Sequence, residues 1–97
     1  PAPVSLVEVQ PSGVYVEGEF RDGCSRLGSF TQIVEGNHII INLDAISPAG
    51  ALCAQVIVPF FTTLSLDLSD LAAGEYQLEV NGVTMDANSN LLTVTVP

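Results

Sequence analysis

Residues 74–82 read Gly-Glu-Tyr-Gln-Leu-Glu-Val-Asn-Gly and decide the fold class. Tyr76, Leu78 and Val80 alternate with polar side chains, which is the two-residue period of a strand that buries one face. The Asn81-Gly82 dipeptide that follows is typical of a tight β-turn, because both residues tolerate a positive φ. The stretch therefore predicts a half-buried strand over residues 75–81 that ends in a turn.

The same period of two recurs along the rest of the chain, as in Ile39, Ile41 and Leu43. Turn residues separate these runs at intervals of about 8–12 residues, which is typical of a β-sandwich or barrel. We expect strands over residues 4–10, 13–20, 32–35, 38–46, 54–59, 62–68, 75–81 and 91–96. Residues 32–35 form either a strand or part of a long loop. The prediction is an all-β, Greek-key sandwich of seven to eight antiparallel strands in one domain, residues 1–97.

The composition is sufficient for one hydrophobic core and excludes binding to nucleic acid through a basic patch. The chain has 97 residues, of which 47% are apolar, and this fits a single domain. Acidic residues outnumber basic ones 11 to 2, so the net charge is −9. Such a chain cannot neutralise a phosphate backbone or an anionic membrane surface. No apolar run reaches the roughly 18 residues of a membrane span, so we expect none.

The two cysteines, Cys24 and Cys53, both stand in loop-like sequence contexts. In a small β domain such a pair favours a disulfide and an oxidising, extracytoplasmic compartment. Two free buried thiols in a cytosolic protein are the alternative. The Pro-Ala-Pro start is typical of a mature N-terminus or of the end of a linker, and it suggests a fragment of a longer secreted chain.

A local feature at the entrance of the 75–81 strand indicates the kind of sandwich. Leu71, Gly74 and Tyr76 have the arrangement of a tyrosine corner, in which a buried hydroxyl bonds to the chain upstream. An ordinary core tyrosine is the alternative. The chain has no Trp, and its cysteines do not fall in mid-strand, so the antibody framework is absent.

Several short motifs follow one another in an order typical of one group of domains. They are Gly23-Cys24, Cys53-Ala54-Gln55, Pro59-Phe60, Gly74-x-Tyr76 and Val80-Asn81-Gly82. In this order the chain resembles immunoglobulin-like domains of uncharacterised secreted proteins and lipoproteins of bacteria. The resemblance implies an Ig-like fold and a loop-to-loop disulfide between the two cysteines, and it implies no activity or ligand. Residues 83–90 depart from the pattern, because they lengthen the last hairpin.

Residues that could carry catalysis or hold a cofactor are scarce. The one histidine is His38, and no Gly-x-Ser-x-Gly elbow is present, so we expect neither an enzyme nor a cofactor. Asp86, Asn88 and Asn90 match the first half of a calcium loop, but Leu91 stands where that loop needs glycine. A plain hairpin loop, in which Asp and Asn bond their own backbone, is the preferred interpretation. We therefore expect no metal, with these three residues as a weak calcium candidate.

An apolar surface is predicted where strands carry apolar residues on both faces. Ile40, Ile46 and Ile57 would lie outside the core and form an exposed patch of a kind that often marks a partner surface. A neighbouring domain or a second copy, giving a homodimer, would fit this face. Cover by a loop or by the N-terminal segment is the alternative, as is a scatter of single apolar residues.

The loop that contains Cys24 supplies a second candidate surface, since it holds both basic side chains of the protein. Its candidate contact residues are Arg21, Asp22, Ser25 and Arg26. We expect a non-enzymatic extracytoplasmic binding, adhesion or spacer module with an unknown protein partner. The alternative function is a small secreted enzyme inhibitor or regulator that acts through loops at one end of the sandwich.

Overall fold

Two β-sheets packed face to face make up the computed structural model, which describes residues 1–48 and 52–97. Sheet A has the strand order β1-β2-β5, and sheet B has the order β3-β4-β6-β7. The strands are β1 Val4–Gln10, β2 Gly13–Phe20, β3 Arg26–Glu35, β4 His38–Ile46, β5 Val58–Leu64, β6 Gly74–Val80 and β7 Thr93–Val96. The all-β sandwich predicted from the period of two is confirmed. Within these two ranges no helix is long and apolar enough to cross a membrane.

The β3 strand is longer than the short segment predicted at residues 32–35. It begins at Arg26, and its register against β4 shifts between Leu27 and Phe30. An irregularity of this kind interrupts the alternation of apolar and polar side chains, so the first half of the strand has no clear period. Residues 32–35 therefore belong to a strand and not to a loop.

The two strands predicted at residues 54–59 and 62–68 are wrong, because a single strand, β5, replaces them. Pro59 does not divide β5, since β5 lies at the edge of sheet A, where a missing N–H is tolerated. β7 begins at Thr93, two residues after the predicted start. The turn Ser47-Pro48-Ala49-Gly50, expected from its proline and glycine to follow the 38–46 strand, falls in part on residues 49–51, which lie outside the described residues.

One neighbouring pair of strands, β4 and β6, is parallel, so the expectation of purely antiparallel strands is wrong here. Ile39 lies opposite Leu78 and Ile41 opposite Val80, and all four side chains are buried between the sheets. The chain between β4 and β6 passes through β5 in the other sheet, which supplies the long crossover that a parallel pair requires. Parallel pairs are typical of sheet interiors, and these two strands are the central ones of sheet B.

The core between the sheets is apolar, and among the described residues no charged or polar side chain is buried in it. The rings of Phe20 and Phe60 pack with their centroids 4.6 Å apart. Gly18 makes this packing possible, because a Cβ at that position would collide with the Phe60 ring and the Pro3 carbonyl. A glycine in the middle of β2 therefore marks a close approach between chain segments.

The buried Tyr76 is fixed by its hydroxyl group at the start of β6. This hydroxyl donates a hydrogen bond of 2.8 Å to the carbonyl of Ala72, four residues upstream. Leu71 packs, partly buried, against the core, and Gly74 has a φ of 146°, a backbone region that favours glycine. The contact has the form of a tyrosine corner and sets the direction in which the chain enters β6.

The side-chain amide of Gln32 acts like a peptide group toward the segment that follows β5. Its Nε2 donates to the carbonyl of Asp67 over 2.7 Å, and its Oε1 accepts from the Asp67 N–H over 3.0 Å. This pair of bonds holds residues 65–68 beside β3, where Leu66 and Leu68 pack partly buried on the core. An irregular segment is thereby attached to a sheet edge without forming a strand.

The side-chain amide of Asn81 joins three chain segments where β6 ends. Its Oδ1 accepts from the Leu43 N–H over 2.7 Å, and its Nδ2 donates to the carbonyls of Leu43 and Ala2, both over 2.8 Å. The Asn81 N–H donates to the carbonyl of Ile41 over 3.0 Å. The residue has a φ of 48°, which asparagine tolerates better than most residues. Asn81 thus continues the pairing of β4 beyond the last residue of β6.

Replacing Asn81 is expected to destabilise the fold without changing its chain path. Asn81→Gly keeps the positive φ and removes three hydrogen bonds, so we expect a loss of about 2–3 kcal/mol in the free energy of unfolding. Asn81→Asp is expected to lose more, because a carboxylate cannot donate to the two carbonyls it would face. Urea unfolding of the oxidised protein measures both variants.

Asn37→Asp is the matched control for the added charge, since Asn37 is exposed in the β3–β4 turn. We expect it to change stability by no more than about 0.5 kcal/mol. Equal stability of Asn81→Asp and Asn37→Asp would contradict the role given to the Asn81 amide.

Candidate functional site

Three chain segments meet at one end of the sandwich, which we call the disulfide pole: residues 21–26, 46–48 and 52–57. Cys24 and Cys53 form a disulfide across it, with their Cα atoms 5.6 Å apart, and this is the pair favoured by the sequence. A hydrogen bond of 3.0 Å from the Gly23 N–H to the Ala54 carbonyl lies beside the disulfide. The connection between β2 and β3 is therefore attached to the segment that precedes β5.

The carboxylate of Asp22 organises the first of these segments. Its Oδ1 accepts hydrogen bonds from the N–H groups of Cys24 and Ser25, over 2.9 and 2.7 Å, and its Oδ2 accepts from the Ser25 hydroxyl over 2.9 Å. The Ser25 Oγ lies 2.8 Å from the Ser47 Oγ, just after β4. The hydrogen bond from the Ser25 backbone, followed by that from Cys24, holds the pKa of Asp22 below its ordinary value.

Four large apolar side chains at the disulfide pole remain exposed. Leu52 is fully exposed, Ile57 is 62% exposed, and Val56 and Ile46 are 47% and 43% exposed. An open groove of about 780 Å³ lies between the segments. Its walls include the disulfide and a ring of polar and apolar side chains: Arg21, Asp22, Ser47, Pro48, Leu52, Gln55, Val56 and Ile57.

Both basic side chains of the protein lie at the disulfide pole. Arg21 directly follows β2 and lines the groove, and Arg26 is the first residue of β3, paired with Ile46. Both are exposed. Since the chain carries a net charge of −9, the pole is the part of an otherwise acidic surface that contains positive charge. Exposed apolar groups and cations therefore occur together on segments that a disulfide holds in place.

The structure does not bring the three isoleucines of the predicted partner face together. Ile46 and Ile57 both lie at the disulfide pole. Ile40 lies half-buried on the outer face of sheet B, between Ile33 and Glu79. It is six residues from Ile46 along β4, which corresponds to about 20 Å in a strand. The four predicted loop residues, Arg21, Asp22, Ser25 and Arg26, do lie together at the pole.

The weak calcium candidate forms a hairpin loop closed by its own hydrogen bonds. Asp86 Oδ1 accepts from the N–H groups of Asn88 and Asn90, over 2.8 and 3.0 Å, as in a turn capped by its own aspartate. Among the described residues, no group of three or more His, Cys, Asp or Glu side chains could hold a metal ion. His38 is exposed at the start of β4.

An exposed aromatic on the outer face of sheet A was not identified from the sequence. Phe61 is 74% exposed and lies opposite Glu17 of β2. Phe61 lay in the gap between the two strands predicted at residues 54–59 and 62–68. Its position on β5, with its side chain pointing outward, was therefore not predicted. Nearby, a hydrogen bond to Glu17, together with the negative charges of Glu17 and Glu8, raises the pKa of Tyr15. This face combines aromatic rings with acidic groups.

Residues 14–94 match the ORF11 beta-sandwich domain. The chain belongs to the ORF11 beta-sandwich domain family. The matched region of this family runs from β2 into β7, so it includes the whole disulfide pole and both cysteines. β1 lies outside it.

Relatives of this ORF11 beta-sandwich domain occur in Herpetosiphon aurantiacus. An "Uncharacterized 10.2 kDa protein in HgiBIM 5'region" is 43% identical over 70 residues, which cover 72% of this chain and 84% of that protein. An "Uncharacterized 10.2 kDa protein in HgiCIIM 5'region" is 38% identical over 82 residues, covering 82% of this chain and 86% of that protein. No solved structure matches the chain significantly.

Removing the disulfide is expected to weaken the whole fold. In the chain-entropy description, a cross-link between residues 29 positions apart contributes about 3–4 kcal/mol. The variant with both Cys24→Ser and Cys53→Ser should therefore lose about that amount in the free energy of unfolding, measured by urea titration. The wild-type protein in reducing buffer is the control and should behave like the variant. Unchanged stability in both would contradict a stabilising role of the disulfide.

The Asp22 carboxylate is expected to make the stability of the protein depend on acid pH. Its pKa is lowered in the folded state, so its contribution is present above its unfolded pKa of about 4 and is lost as the pH falls through the folded pKa. The difference in stability between wild type and Asp22→Asn should therefore shrink on acidification. Asp44→Asn, at an exposed position of β4, is the control. A difference that stays constant between about pH 6 and pH 2.5 would contradict this role.

Proposed function

We propose that this chain is a non-enzymatic, extracytoplasmic binding domain that holds a protein partner at its disulfide pole. One observation carries the proposal: four exposed apolar side chains lie beside both arginines, on segments that the disulfide joins. Monomeric proteins rarely expose contiguous apolar surface without a use for it. The proposal therefore places the binding surface at Ile46, Leu52, Val56 and Ile57.

The energetics of such a surface support binding. Full burial of an exposed aliphatic side chain contributes about 1.5–3 kcal/mol, so burying these residues would offset part of the translational and rotational freedom lost on association. The disulfide and the Asp22 hydrogen bonds already hold much of the surrounding backbone, so less ordering entropy is lost when a partner docks. The disulfide pole, whose backbone is held by the disulfide and by Asp22, is therefore better suited to binding than a mobile loop of the same composition.

The distribution of charge on the surface favours partners of a particular composition. An acidic partner is repelled by most of the surface of a chain with a net charge of −9. At the disulfide pole Arg21 and Arg26 offset this repulsion. We therefore propose a partner surface that combines apolar side chains with one or two carboxylates, and such charge complementarity mainly improves specificity and the rate of association.

Different observations support the proposed extracytoplasmic location and the proposed relationship to Ig-like domains. A disulfide is typical of proteins in oxidising compartments, which supports an extracytoplasmic location. The Tyr76 contact with Ala72 and the two-sheet sandwich support kinship with Ig-like domains. The parallel β4–β6 pair is a departure from an antiparallel Greek key, so the kinship we propose is a broad one.

An enzyme inhibitor that uses the same end of the sandwich is the second candidate. The observation that favours it is Leu52, whose side chain is fully exposed next to the disulfide-bonded Cys53. A projecting apolar side chain on a tethered segment can enter the cleft of an enzyme. Both candidates place the contact at the disulfide pole, and they differ in whether the partner loses an activity.

Affinity capture with matched variants tests the proposal. The oxidised domain is immobilised, exposed to envelope and culture-medium extracts of its source organism, and compared with a variant carrying Leu52→Ser and Ile57→Ser. The control is Ile33→Ser, which removes an exposed apolar side chain from sheet B, far from the pole. We expect saturable retention of a protein by wild type and control, and at least about tenfold weaker retention by the pole variant, as loss of 1.4 kcal/mol implies.

Two outcomes would contradict the proposal. Retention that survives in the pole variant would place the contact elsewhere on the surface. Absence of any saturable retention would instead favour a spacer whose role lies in its parent chain. If the captured protein is an enzyme that the wild-type domain inhibits and the pole variant does not, the inhibitor candidate replaces the simple binding module.

A further inference from the structure

The turn between β6 and the segment that follows it contains the single Asn-Gly dipeptide of the sequence. Asn81 and Gly82 both have positive φ, 48° and 83°, and Val80 and Val83 exchange two backbone hydrogen bonds around them. This is the geometry of a two-residue hairpin turn. Glycine has no side chain to shield its backbone nitrogen, so an Asn-Gly pair is also the dipeptide most prone to deamidation in a flexible chain.

We propose that Asn81 is a deamidation site, which is unreactive in the folded structure and becomes reactive when the chain unfolds. The reaction would turn transient unfolding into a permanent chemical change. It needs no enzyme or cofactor, since the groups that react are both in the chain and the other reactant is water. The proposal concerns Asn81 alone and does not depend on the binding function of the disulfide pole.

The reaction proceeds in two steps. The backbone nitrogen of Gly82 loses its proton and attacks the Cγ of Asn81, a new N–Cγ bond forms, the bond from Cγ to Nδ2 breaks, and ammonia leaves. The product is a five-membered succinimide. Water then adds to one of the two imide carbonyls and opens the ring, which leaves either aspartate or an isoaspartyl linkage at position 81. No electron transfer is involved in either step.

The folded structure opposes the first step, because it holds the reacting amide away from Gly82. The Asn81 Oδ1 accepts from Leu43, and its Nδ2 donates to the carbonyls of Leu43 and Ala2. Attack by the Gly82 nitrogen requires the side chain to leave all three partners and rotate toward its own backbone. It also requires the tight turn to change its dihedral angles, which the hydrogen bonds between Val80 and Val83 resist.

The products are incompatible with the site that the amide occupied. Aspartate presents an oxygen where Nδ2 donated, so a negative charge would face the carbonyls of Ala2 and Leu43. An isoaspartyl linkage adds one atom to the backbone of a two-residue turn and shifts the register of the hairpin. A chain that has reacted would therefore refold without the hydrogen bonds of Asn81 to Ala2 and Leu43.

Deamidation measured residue by residue in folded and unfolded protein tests the proposal. The oxidised chain is incubated at mildly alkaline pH in buffer and in guanidinium chloride, and peptide mass spectrometry follows each asparagine. Asn37, Asn42, Asn88 and Asn90 are internal references, since other residues than glycine follow them. We expect Asn81 to react fastest in the unfolded chain and more than about a hundredfold slower in the folded one, because the reaction tracks the small open population.

A second measurement separates the chemistry from its structural effect. Deamidated protein returned to buffer should melt at least about 10 °C below unreacted protein, as should Asn81→Asp. Equal rates in folded and unfolded wild type, or an unchanged melting temperature after deamidation, would overturn the proposal.

Discussion

The central strand β4 must have both of its edges hydrogen-bonded, and the Asn81 amide satisfies this requirement where β6 no longer does. β6 pairs with β4 from His38 to Ile41 and then turns away. The N–H and carbonyl of Leu43 lie beyond that point, and without Asn81 the N–H would lack a partner, which is costly where the backbone is shielded from water. Asn81 bonds to both groups, and the Ala2 N–H donates to the same carbonyl. This contact joins the N-terminal segment, the turn after β6 and strand β4.

The parallel pairing of β4 and β6 explains why such a contact is needed. In an antiparallel hairpin the next strand would follow β4 along its whole length. Here the partner strand returns from the opposite sheet and covers only part of β4, so side-chain amides complete the pairing. Gln32 of the edge strand β3 likewise uses its amide as a peptide group when it bonds to Asp67. Amide side chains can replace peptide groups because they carry the same donor and acceptor.

The disulfide pole is held by different forces from the rest of the sandwich. Between the sheets, apolar side chains are buried and no charged group interrupts them among the described residues. At the pole the chain leaves both sheets, so apolar side chains there stay exposed and cannot stabilise the backbone by burial. A covalent bond and the hydrogen bonds of Asp22 take over that role. The same separation leaves apolar groups and both arginines accessible to a partner.

The fold class could be predicted from the sequence because side-chain direction in a strand alternates with every residue. This rule identified the inward faces of β4 and β6. The Asn81-Gly82 dipeptide separately predicted the turn after β6, and the spacing of Leu71, Gly74 and Tyr76 predicted the upstream hydroxyl contact of Tyr76. It failed where the alternation was interrupted or misleading. The register shift between Leu27 and Phe30 interrupts the alternation in the first half of β3, so that half was not predicted as a strand. The sequence also does not show that β5 is an edge strand, where Pro59 is tolerated.

Local sequence by itself determined most of the strands and the turn at Asn81-Gly82, and it placed the two cysteines in loops outside the strands. Only the tertiary structure decided which strands are neighbours. The parallel β4–β6 pair, the separation of Ile40 from Ile46 and Ile57, and the three partners of Asn81 all join residues far apart in the chain. Periodicity reports burial of a face and carries no information about what lies opposite that face, because the same alternation suits any partner strand.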